Sequence, residues 1–222
     1  MKIEMHTHTS EVSPCASVEA EMMVRLYSDA GYGAVVVTDH YNDYVIESFS
    51  GPPDKRVERY LLGYKTAKEV GEWYGVKILL GVETCIFGGM EDFLIYGIDE
   101  NFIYNNPKMY NYTQKELYNR VEEYGALLYQ AHPCRAYCNP RDPLLLHGVE
   151  VYNGNPRHDN NNHKALKWTK RFQNLRYSSG SDFHQQMDLA RGGIEVPDEI
   201  SINTIVDLSE YLRNTSVKLI ES

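Results

Sequence analysis

Short apolar runs with the length of buried β-strands alternate with helical patterns along the whole 222-residue chain. The clearest run, AVVVT at 34–38, is rich in β-branched residues and follows an amphipathic segment that ends at Gly31. Strands that alternate with helices favour an α/β fold with a mostly parallel sheet and right-handed crossovers. Since no linker or low-complexity tract interrupts the pattern, we predict one domain over residues 1–222.

The individual elements follow from apolar periodicity and from Gly and capping signals. Thr113 and Glu116 have the spacing of a capping box, which predicts the start of a helix. The predicted strands are Lys2–Met5, Ala34–Thr38, Val76–Val82, Phe93–Ile98, Ala126–Gln130, Gly148–Tyr152, Arg176–Ser179 and Val217–Ile220. The predicted helices are Ser17–Ala30, Val57–Tyr74, Thr113–Tyr124, His163–Arg171 and Ile202–Leu212.

Composition excludes several classes of protein. Hydrophobic residues make up 42% and charged residues 24%, values of an ordinary globular domain. A formal net charge of −9 argues against long nucleic acid bound along a basic groove. Four scattered cysteines are typical of free thiols in a reducing cytosol, and no apolar run is long enough to cross a bilayer. We therefore expect a cytoplasmic protein without a membrane partner.

Histidines and carboxylates stand where the predicted strands end. His6 and His8 follow the first strand two residues apart, so in extended chain their rings point to the same side. The carboxyl ends of parallel strands open on one face, where α/β proteins build their sites. The residues in this register are His6, His8, Asp39, His40, Glu83, His132, Asp182 and His184.

This convergence predicts a metal centre, because imidazole and carboxylate are the ligands of zinc, manganese and iron. Each motif alone is more typical of a loop or a core histidine. The hypothesis of a metal centre depends on all of them standing at the ends of predicted strands. His147, His158 and His163 lack that register. We interpret His147 as a loop residue and His163 as an exposed residue at a helix start, and leave His158 open.

In order over residues 6–184, the motifs HTH, TDH, GVE, AHP and SGSDFH resemble those of the PHP (polymerase and histidinol phosphatase) domain family. The resemblance extends over essentially the whole chain. It is strongest to the stand-alone bacterial PHP hydrolases, since no polymerase segment follows. It implies a distorted (β/α)7 TIM-like barrel in a single domain, two or three divalent ions (Mn, Fe or Zn) and phosphoesterase chemistry.

The resemblance also implies a role for each matched position. The family pattern gives the first ion to His6, His8 and Asp182, a bridging position to Glu83, the second ion to His132, and the third ion to His40 and His184.

Two positions depart from that pattern. The family often has an acidic or His ligand shortly after H-x-H, where this chain has Ser13-Pro14-Cys15 with Glu11 as the nearby carboxylate. It also often has His before the strand FLIYGI, where this chain has Asp92. An aspartate shifts preference towards harder ions such as Mn or Fe. Glu11 and Asp92 are therefore candidate ligands, and the third ion is left open.

The implied reaction is hydrolysis of a small phosphoester, such as histidinol phosphate or a nucleotide phosphate. Metal-activated water attacks directly, because no Ser or Cys nucleophile with a matched base is evident. Arg135 is the leading phosphate clamp, followed by Arg157 and Arg191. We assign protonation of the leaving group to His184 or Asp39, a choice that stays open.

Two other interpretations remain. The cluster can belong to a non-catalytic regulatory module, although the retained ligands favour catalysis. An amidohydrolase-like barrel shares the opening H-x-H and a late Asp, but it usually needs a carboxylated lysine, and no Lys stands at a strand end. The acidic net charge does not exclude an anionic substrate, because bound divalent ions would offset the ligand carboxylates locally.

Overall fold

Eleven strands and eight helices make up the chain in the computed structural model, which describes residues 1–222. The strands are β1 (Lys2–Thr7), β2 (Tyr32–Val37), β3 (His40–Tyr41), β4 (Lys77–Leu80), β5 (Val82–Cys85), β6 (Asp92–Tyr96), β7 (Leu127–Gln130), β8 (Gly148–Asn153), β9 (Arg176–Gly180), β10 (Gly192–Glu195) and β11 (Lys218–Glu221). The helices are α1 (Ala20–Asp29), α2 (Asp43–Ile46), α3 (Pro53–Tyr60), α4 (Leu62–Tyr74), α5 (Glu100–Asn105), α6 (Gln114–Glu123), α7 (Asn162–Thr169) and α8 (Ile205–Asn214).

The strands form two sheets, in the orders β11-β10-β1-β2-β4 and β3-β5-β6-β7-β8-β9. A parallel bridge between Thr7 and Phe183 connects the end of β1 to the segment after β9. The mixed α/β class is as the sequence predicts. Closure of the strands into one seven-stranded barrel is not confirmed.

Strand direction departs from the expected, mostly parallel arrangement. The series β1-β2-β4 and β7-β8-β9 are parallel. The series β5-β6-β7 and β1-β10-β11 are antiparallel. Only the loop 86–91 joins β5 to β6. Such a loop is too short for a parallel crossover, which needs a dozen or more residues.

The helices largely follow the predicted periodicity. Gly75, with φ of 68°, ends α4 in the left-handed conformation that glycine adopts without strain. The predicted helix over 57–74 is instead two helices that meet at Leu61, and it begins earlier, with Pro53 in the first turn. No helix is both long and apolar enough to span a membrane.

Buried apolar side chains pack in three clusters around the sheets. The largest contains 25 residues and includes Val82, Phe93 and Leu128 from the antiparallel strands. A second cluster includes Ile3 and Met5 of β1, and a third lies under α1 and α4. These clusters include side chains of β1, β5 and β7, the strands that carry or lead into the polar residues described below.

Replacing Thr113 with alanine tests the predicted helix start. The Thr113 hydroxyl accepts the Glu116 N–H at 3.3 Å, and Glu116 Oε2 accepts the Thr113 N–H at 2.8 Å, which confirms the capping box. We expect Thr113→Ala to lower the free energy of unfolding by about 1 kcal/mol. Chemical denaturation measures it, with exposed Thr215→Ala as control; equal losses in both variants contradict the capping role.

Candidate metal centre

The end of β1 and the segment after β9 bring two pairs of polar side chains together. The His8 N–H donates to the Phe183 carbonyl at 2.9 Å, and the Phe183 N–H donates to the His6 carbonyl at 3.1 Å. This pairing continues beyond the strand ends, where side chains two residues apart share a side. His6, His8, Asp182 and His184 consequently converge, and all four are buried.

Glu83 of β5 lies at the middle of the cluster. Its Oε1 is 3.2 Å from Nε2 of both His6 and His132. Its Oε2 is 3.3 Å from His8 Nε2 and 2.9 Å from His40 Nδ1. Burial alone raises the pKa of this carboxyl, but the surrounding imidazoles hold that pKa well below its usual range. Glu83 is thus an anionic centre facing four imidazoles, as a bridging ligand requires.

Asp182 closes the other side of the cluster. Its Oδ1 lies 3.5 Å from Nε2 of both His6 and His8 and 3.3 Å from His184 Nδ1. Its Oδ2 accepts a hydrogen bond from Arg135 Nη2 at 2.5 Å. Burial raises the pKa of Asp182, but His6 and the Arg135 guanidinium hold it well below its usual range. One carboxylate oxygen is therefore left facing the histidines.

Several buried polar atoms of the cluster have no partner in hydrogen-bonding geometry, although other atoms of the cluster lie close by, and each such atom costs about 1–3 kcal/mol. They are His6 Nε2, His8 Nε2, Glu83 Oε2 and His132 Nδ1. Three sets of side chains hold their donor atoms within 4.8 Å of one another, and these sets are His6-His8-Glu83, Glu83-Asp92-His132 and His8-His40-His184. The unpartnered atoms and the mixed nitrogen and oxygen donors fit divalent metal ions.

Two of these residues have strained backbones. His132 and Asp182 have φ of 26° and 51°, in the left-handed region that non-glycine residues rarely adopt. Such conformations cost on the order of 1–3 kcal/mol and concentrate at functional sites. His132 in this conformation contacts Glu83, and Asp182 contacts His6 and His8.

Glu150 of β8 supports the centre from below, and the sequence analysis missed it. Its Oε1 accepts from His6 Nδ1 at 2.9 Å, which leaves His6 Nε2 free to bind an ion. Its Oε2 accepts the His132 backbone N–H at 3.0 Å and the Asn153 side-chain amide at 2.9 Å. The available signal was a single carboxylate within the apolar stretch 148–152.

We expect Glu150→Gln to weaken metal affinity by about 10- to 100-fold, because the neutral amide no longer fixes the His6 tautomer. Competition with a chromophoric chelator measures the affinity. Glu69→Gln, on the exposed face of α4, is the matched control. Identical affinities in the two variants contradict the supporting role of Glu150.

Glu4 of β1 is a second buried carboxyl under the centre, also missed. It accepts the backbone N–H groups of His6 at 3.0 Å and Ser181 at 2.9 Å, and the Tyr27 hydroxyl at 2.9 Å. Burial raises the pKa of Glu4 to about 7. Glu4 therefore fastens the strand that carries His6 to the residue preceding Asp182.

Asp39 is not placed as a proton donor to a substrate, which corrects one sequence-based assignment. Its Oδ1 accepts the Thr9 N–H and the Ser13 hydroxyl, both at 2.7 Å. Its Oδ2 accepts the Thr9 hydroxyl at 2.7 Å. Asp39 is 2% exposed and does not line the cavity described below. Its role is to hold the turn that follows H-x-H.

The assignment of Glu11 as a candidate metal ligand is also corrected. Both of its carboxylate oxygens accept the Ala20 N–H, at 3.0 and 3.1 Å. A carboxylate at a helix N-terminus satisfies a free N–H and interacts favourably with the helix dipole. Glu11 thus caps α1 and belongs to none of the three donor sets.

Asp92, at the start of β6, does lie in the cluster. Its Oδ2 is 3.9 Å from His132 Nε2, and the side chain is 26% exposed. Burial and the nearby Glu83 raise the pKa of Asp92 to about 6. A bound cation reverses such a shift, so Asp92 remains a candidate ligand.

The three arginines proposed from sequence occupy different places. Arg135 is anchored by Asp182, by Asn153 through Nη2 at 3.0 Å and by Asn160 through Nε at 2.8 Å. Arg157 forms a two-point ion pair with Asp188, at 3.0 and 3.2 Å. Arg135 and Arg157 line the cavity at the centre, whereas Arg191 does not.

That cavity has a volume of about 210 Å³. It is lined by Cys15, His40, Glu83, Asp92, His132, Arg135, Arg157, His158, Asp182 and His184. A larger surface groove of about 540 Å³, near Met1 and Lys218, contains none of the cluster.

The remaining histidines separate clearly. His147 lies in a loop and its Nδ1 accepts the Leu128 N–H at 3.0 Å, which confirms its interpretation as a loop residue. His163 is exposed in the first turn of α7, as expected. His158, left open by the sequence, lines the cavity.

The profile of the PHP domain matches residues 4–219. The chain belongs to the PHP family. No curated protein sequence matches it. The family assignment agrees with the resemblance carried by the strand-end motifs, and with the cluster of His and carboxylate groups able to bind metal.

Several solved structures resemble this PHP chain. One is a two-domain protein from Bacteroides vulgatus ATCC 8482 containing a predicted PHP-like metal-dependent phosphoesterase (TM-score 0.68, 17% identity, 100% of this chain and 64% of that chain). Another is PsfC from Pseudomonas syringae PB-5123 (TM-score 0.69, 16% identity, 100% of this chain and 91% of that chain). A third is the lesion-specific endonuclease PfuEndoQ from Pyrococcus furiosus (TM-score 0.61, 14% identity, 98% of this chain and 57% of that chain). The chain spans less than two thirds of the first and third proteins, and these likenesses concern the fold.

Proposed function

We propose that this PHP chain is a metal-dependent phosphoesterase that hydrolyses a small phosphoester with water. The observation that carries the proposal is the set of unpartnered donor atoms of His6, His8 and Glu83, buried beside a small cavity that two arginines line. Bound divalent ions supply a Lewis acid for the phosphoryl oxygens and lower the pKa of water. We assign two or three ions, of Mn, Fe or Zn, to the three donor sets.

The chain's own groups then orient the substrate. Asn153, Asn160 and Asp182 fix the Arg135 guanidinium at the cavity wall, and Asp188 fixes that of Arg157. Held in this way, the guanidinium groups lose little rotamer freedom when they bind phosphoryl oxygens. We propose both as phosphate contacts.

His158 replaces Asp39 in our assignment of leaving-group protonation. It lines the cavity and lies outside the three donor sets, whereas His184 is a member of one. Burial and the neighbouring Arg135 lower the pKa of His158, so its proton-donating form is favoured towards acidic pH. We expect His158→Gln to slow hydrolysis of an alkyl phosphate by about 10²-fold but to spare p-nitrophenyl phosphate, whose leaving group needs no proton. Equal losses on both substrates contradict this role.

The size of the cavity favours a small phosphomonoester. About 210 Å³ is less than the 300–1,000 Å³ typical of pockets that enclose a drug-sized ligand. We infer that the phosphoryl group enters and the leaving group stays near the rim. Histidinol phosphate and nucleotide monophosphates both fit this description. The net charge of −9 disfavours long nucleic acid, although one structural neighbour is an endonuclease.

The assay that tests the proposal uses metal-stripped protein reloaded with Mn²⁺, Fe²⁺ or Zn²⁺ and follows p-nitrophenol release. His8→Ala and Asp182→Ala should abolish turnover. A second panel compares histidinol phosphate, nucleotide monophosphates and single-stranded DNA. Stoichiometric metal binding without turnover on any of them favours the alternative, a non-catalytic regulatory module. Turnover unchanged in both variants refutes the proposed site.

We also propose that the chain works in the cytoplasm, where thiols stay reduced. All four of its cysteines are free.

A further inference from the structure

Three imidazoles converge at the outer side of the metal centre. The ring centroid of His8 lies 4.1 Å from that of His184 and 4.3 Å from that of His40. The centroids of His40 and His184 are 5.7 Å apart. Their donor nitrogens fall within 4.8 Å of one another. His8 is fully buried and its Nε2 has no hydrogen-bond partner. Three clustered donors without a carboxylate in the set lack one ligand for a tetrahedral ion.

Cys15 lies in the cavity beside this group. Cys15 lines the same cavity as His40 and His184. It is free and reaches the surface. No other cysteine lines the cavity.

The backbone around Cys15 is fixed on both sides of the imidazole group. The Ser13 hydroxyl donates to Asp39 and accepts the His40 N–H at 3.1 Å. The Ala16 N–H donates to the Ser13 carbonyl at 2.9 Å, and the Ser17 N–H donates to the His184 carbonyl at 2.9 Å. The short turn that carries Cys15 is therefore tied directly to two of the three histidines.

We propose that Cys15 supplies a thiolate ligand to a divalent cation that His40 and His184 also bind. This position of the centre then prefers ions that bind sulfur well. The inference deepens the proposed function, since the ion belongs to the same centre. On binding, the Cys15 S–H bond is lost, the sulfur keeps the electron pair and ligates the ion, and the proton passes to solvent.

The sulfur ligand changes which ion binds. Thiolate with imidazole selects Zn²⁺, and Co²⁺ as its spectroscopic substitute, over Mn²⁺ or Mg²⁺. The set Glu83-Asp92-His132 is instead rich in oxygen and suits harder ions. We infer that the two ends of the centre differ in metal preference.

Titration of metal-stripped protein with Co²⁺ tests this. The wild type should develop near-ultraviolet thiolate-to-cobalt charge-transfer absorption, and Cys15→Ser should lack it. Cys134→Ser is the matched control, because Cys134 is a free cysteine that does not line the cavity, and it should keep the absorption. Cys15→Asp should bind Mn²⁺ more tightly than Cys15→Ser but show no charge-transfer band. Absorption that persists in Cys15→Ser overturns the proposal.

A measurement on the unmodified chain covers the case in which a variant fails to fold. Iodoacetamide labelling, read by peptide mass spectrometry, should modify Cys15 quickly in metal-stripped protein and at least about 10-fold more slowly with Zn²⁺, because a ligated thiolate reacts poorly. Cys134 serves as the internal reference. If Zn²⁺ leaves the labelling rate of Cys15 unchanged, the proposal of a thiolate ligand is wrong, but the proposed phosphoesterase function still stands. If Zn²⁺ protects Cys15 but no substrate is hydrolysed, the proposed function is wrong and the thiolate ligand stands.

Discussion

Replacing Glu83 with glutamine is expected to lower metal-dependent phosphoester hydrolysis by about 10³-fold or more, the scale of losing a preorganised electrostatic group. Glu83 lies within 3.3 Å of four imidazole nitrogens, so it takes part in two of the three donor sets. The glutamine is nearly isosteric, but it removes the charge that offsets bound cations. The rate constant is measured with each metal at saturation.

Two measurements separate this effect from unfolding. Glu210→Gln, on the exposed surface of α8, should retain wild-type turnover, and circular dichroism should be the same for both variants. The metal content of Glu83→Gln should fall together with its activity. A variant that keeps full turnover and full metal content shows that Glu83 does not bridge ions.

Metal binding is expected to raise the melting temperature of the stripped protein by roughly 5–10 °C. A ligand at 100 times its Kd stabilises the folded state by about 2.7 kcal/mol. For a domain of this size, each kcal/mol corresponds to about 2–4 °C. The physical source is the buried cluster itself, since bound ions would take up the unpartnered atoms of His6, His8 and Glu83. Thermal unfolding with and without chelator measures the shift.

The shift should depend on the centre and not on general ion binding. Glu83→Gln should lose most of it, and Glu210→Gln should keep it. If chelator leaves the melting temperature unchanged, or if both variants shift equally, the ions do not bind at this cluster.

The candidate ligands at the strand ends could be predicted from the sequence, because the two-residue repeat of a strand and the shared edge of parallel strands are simple geometric rules. His6 and His8 are separated by one residue, and Asp182 and His184 repeat that spacing. Strand pairing beyond β1 and β9 was not needed to expect their convergence. The bridge between Thr7 and Phe183 supplies the contact in space.

The supporting carboxylates depend on tertiary hydrogen bonding, which spacing does not reveal. Glu4 lies between Ile3 and Met5, and Glu150 lies between Val149 and Val151, so a carboxyl between apolar neighbours, which needs partners when buried, was the available signal. Tertiary hydrogen bonding also explains why the sequence-based assignments of Glu11 and Asp39 were wrong. Both are close to the site in sequence, but backbone N–H and hydroxyl donors occupy their oxygens first.

Strand direction was undetermined for a different reason. The connection from β6 to β7 contains α5 and α6 and is long enough for a parallel crossover, yet the two strands are antiparallel. Length limits only short connections, as at 86–91. The strand β10, with two glycines in four residues, has too little apolar pattern to be recognised.

Anomalous diffraction from crystals of the metal-loaded chain, recorded at the absorption edge of the added metal, tests the central claim most directly. The account predicts two or three peaks within coordination distance of His6, His8, Glu83, His132 and Asp182, with Cys15 Sγ ligating the ion beside His40. Fully loaded crystals with no peak among these side chains contradict it.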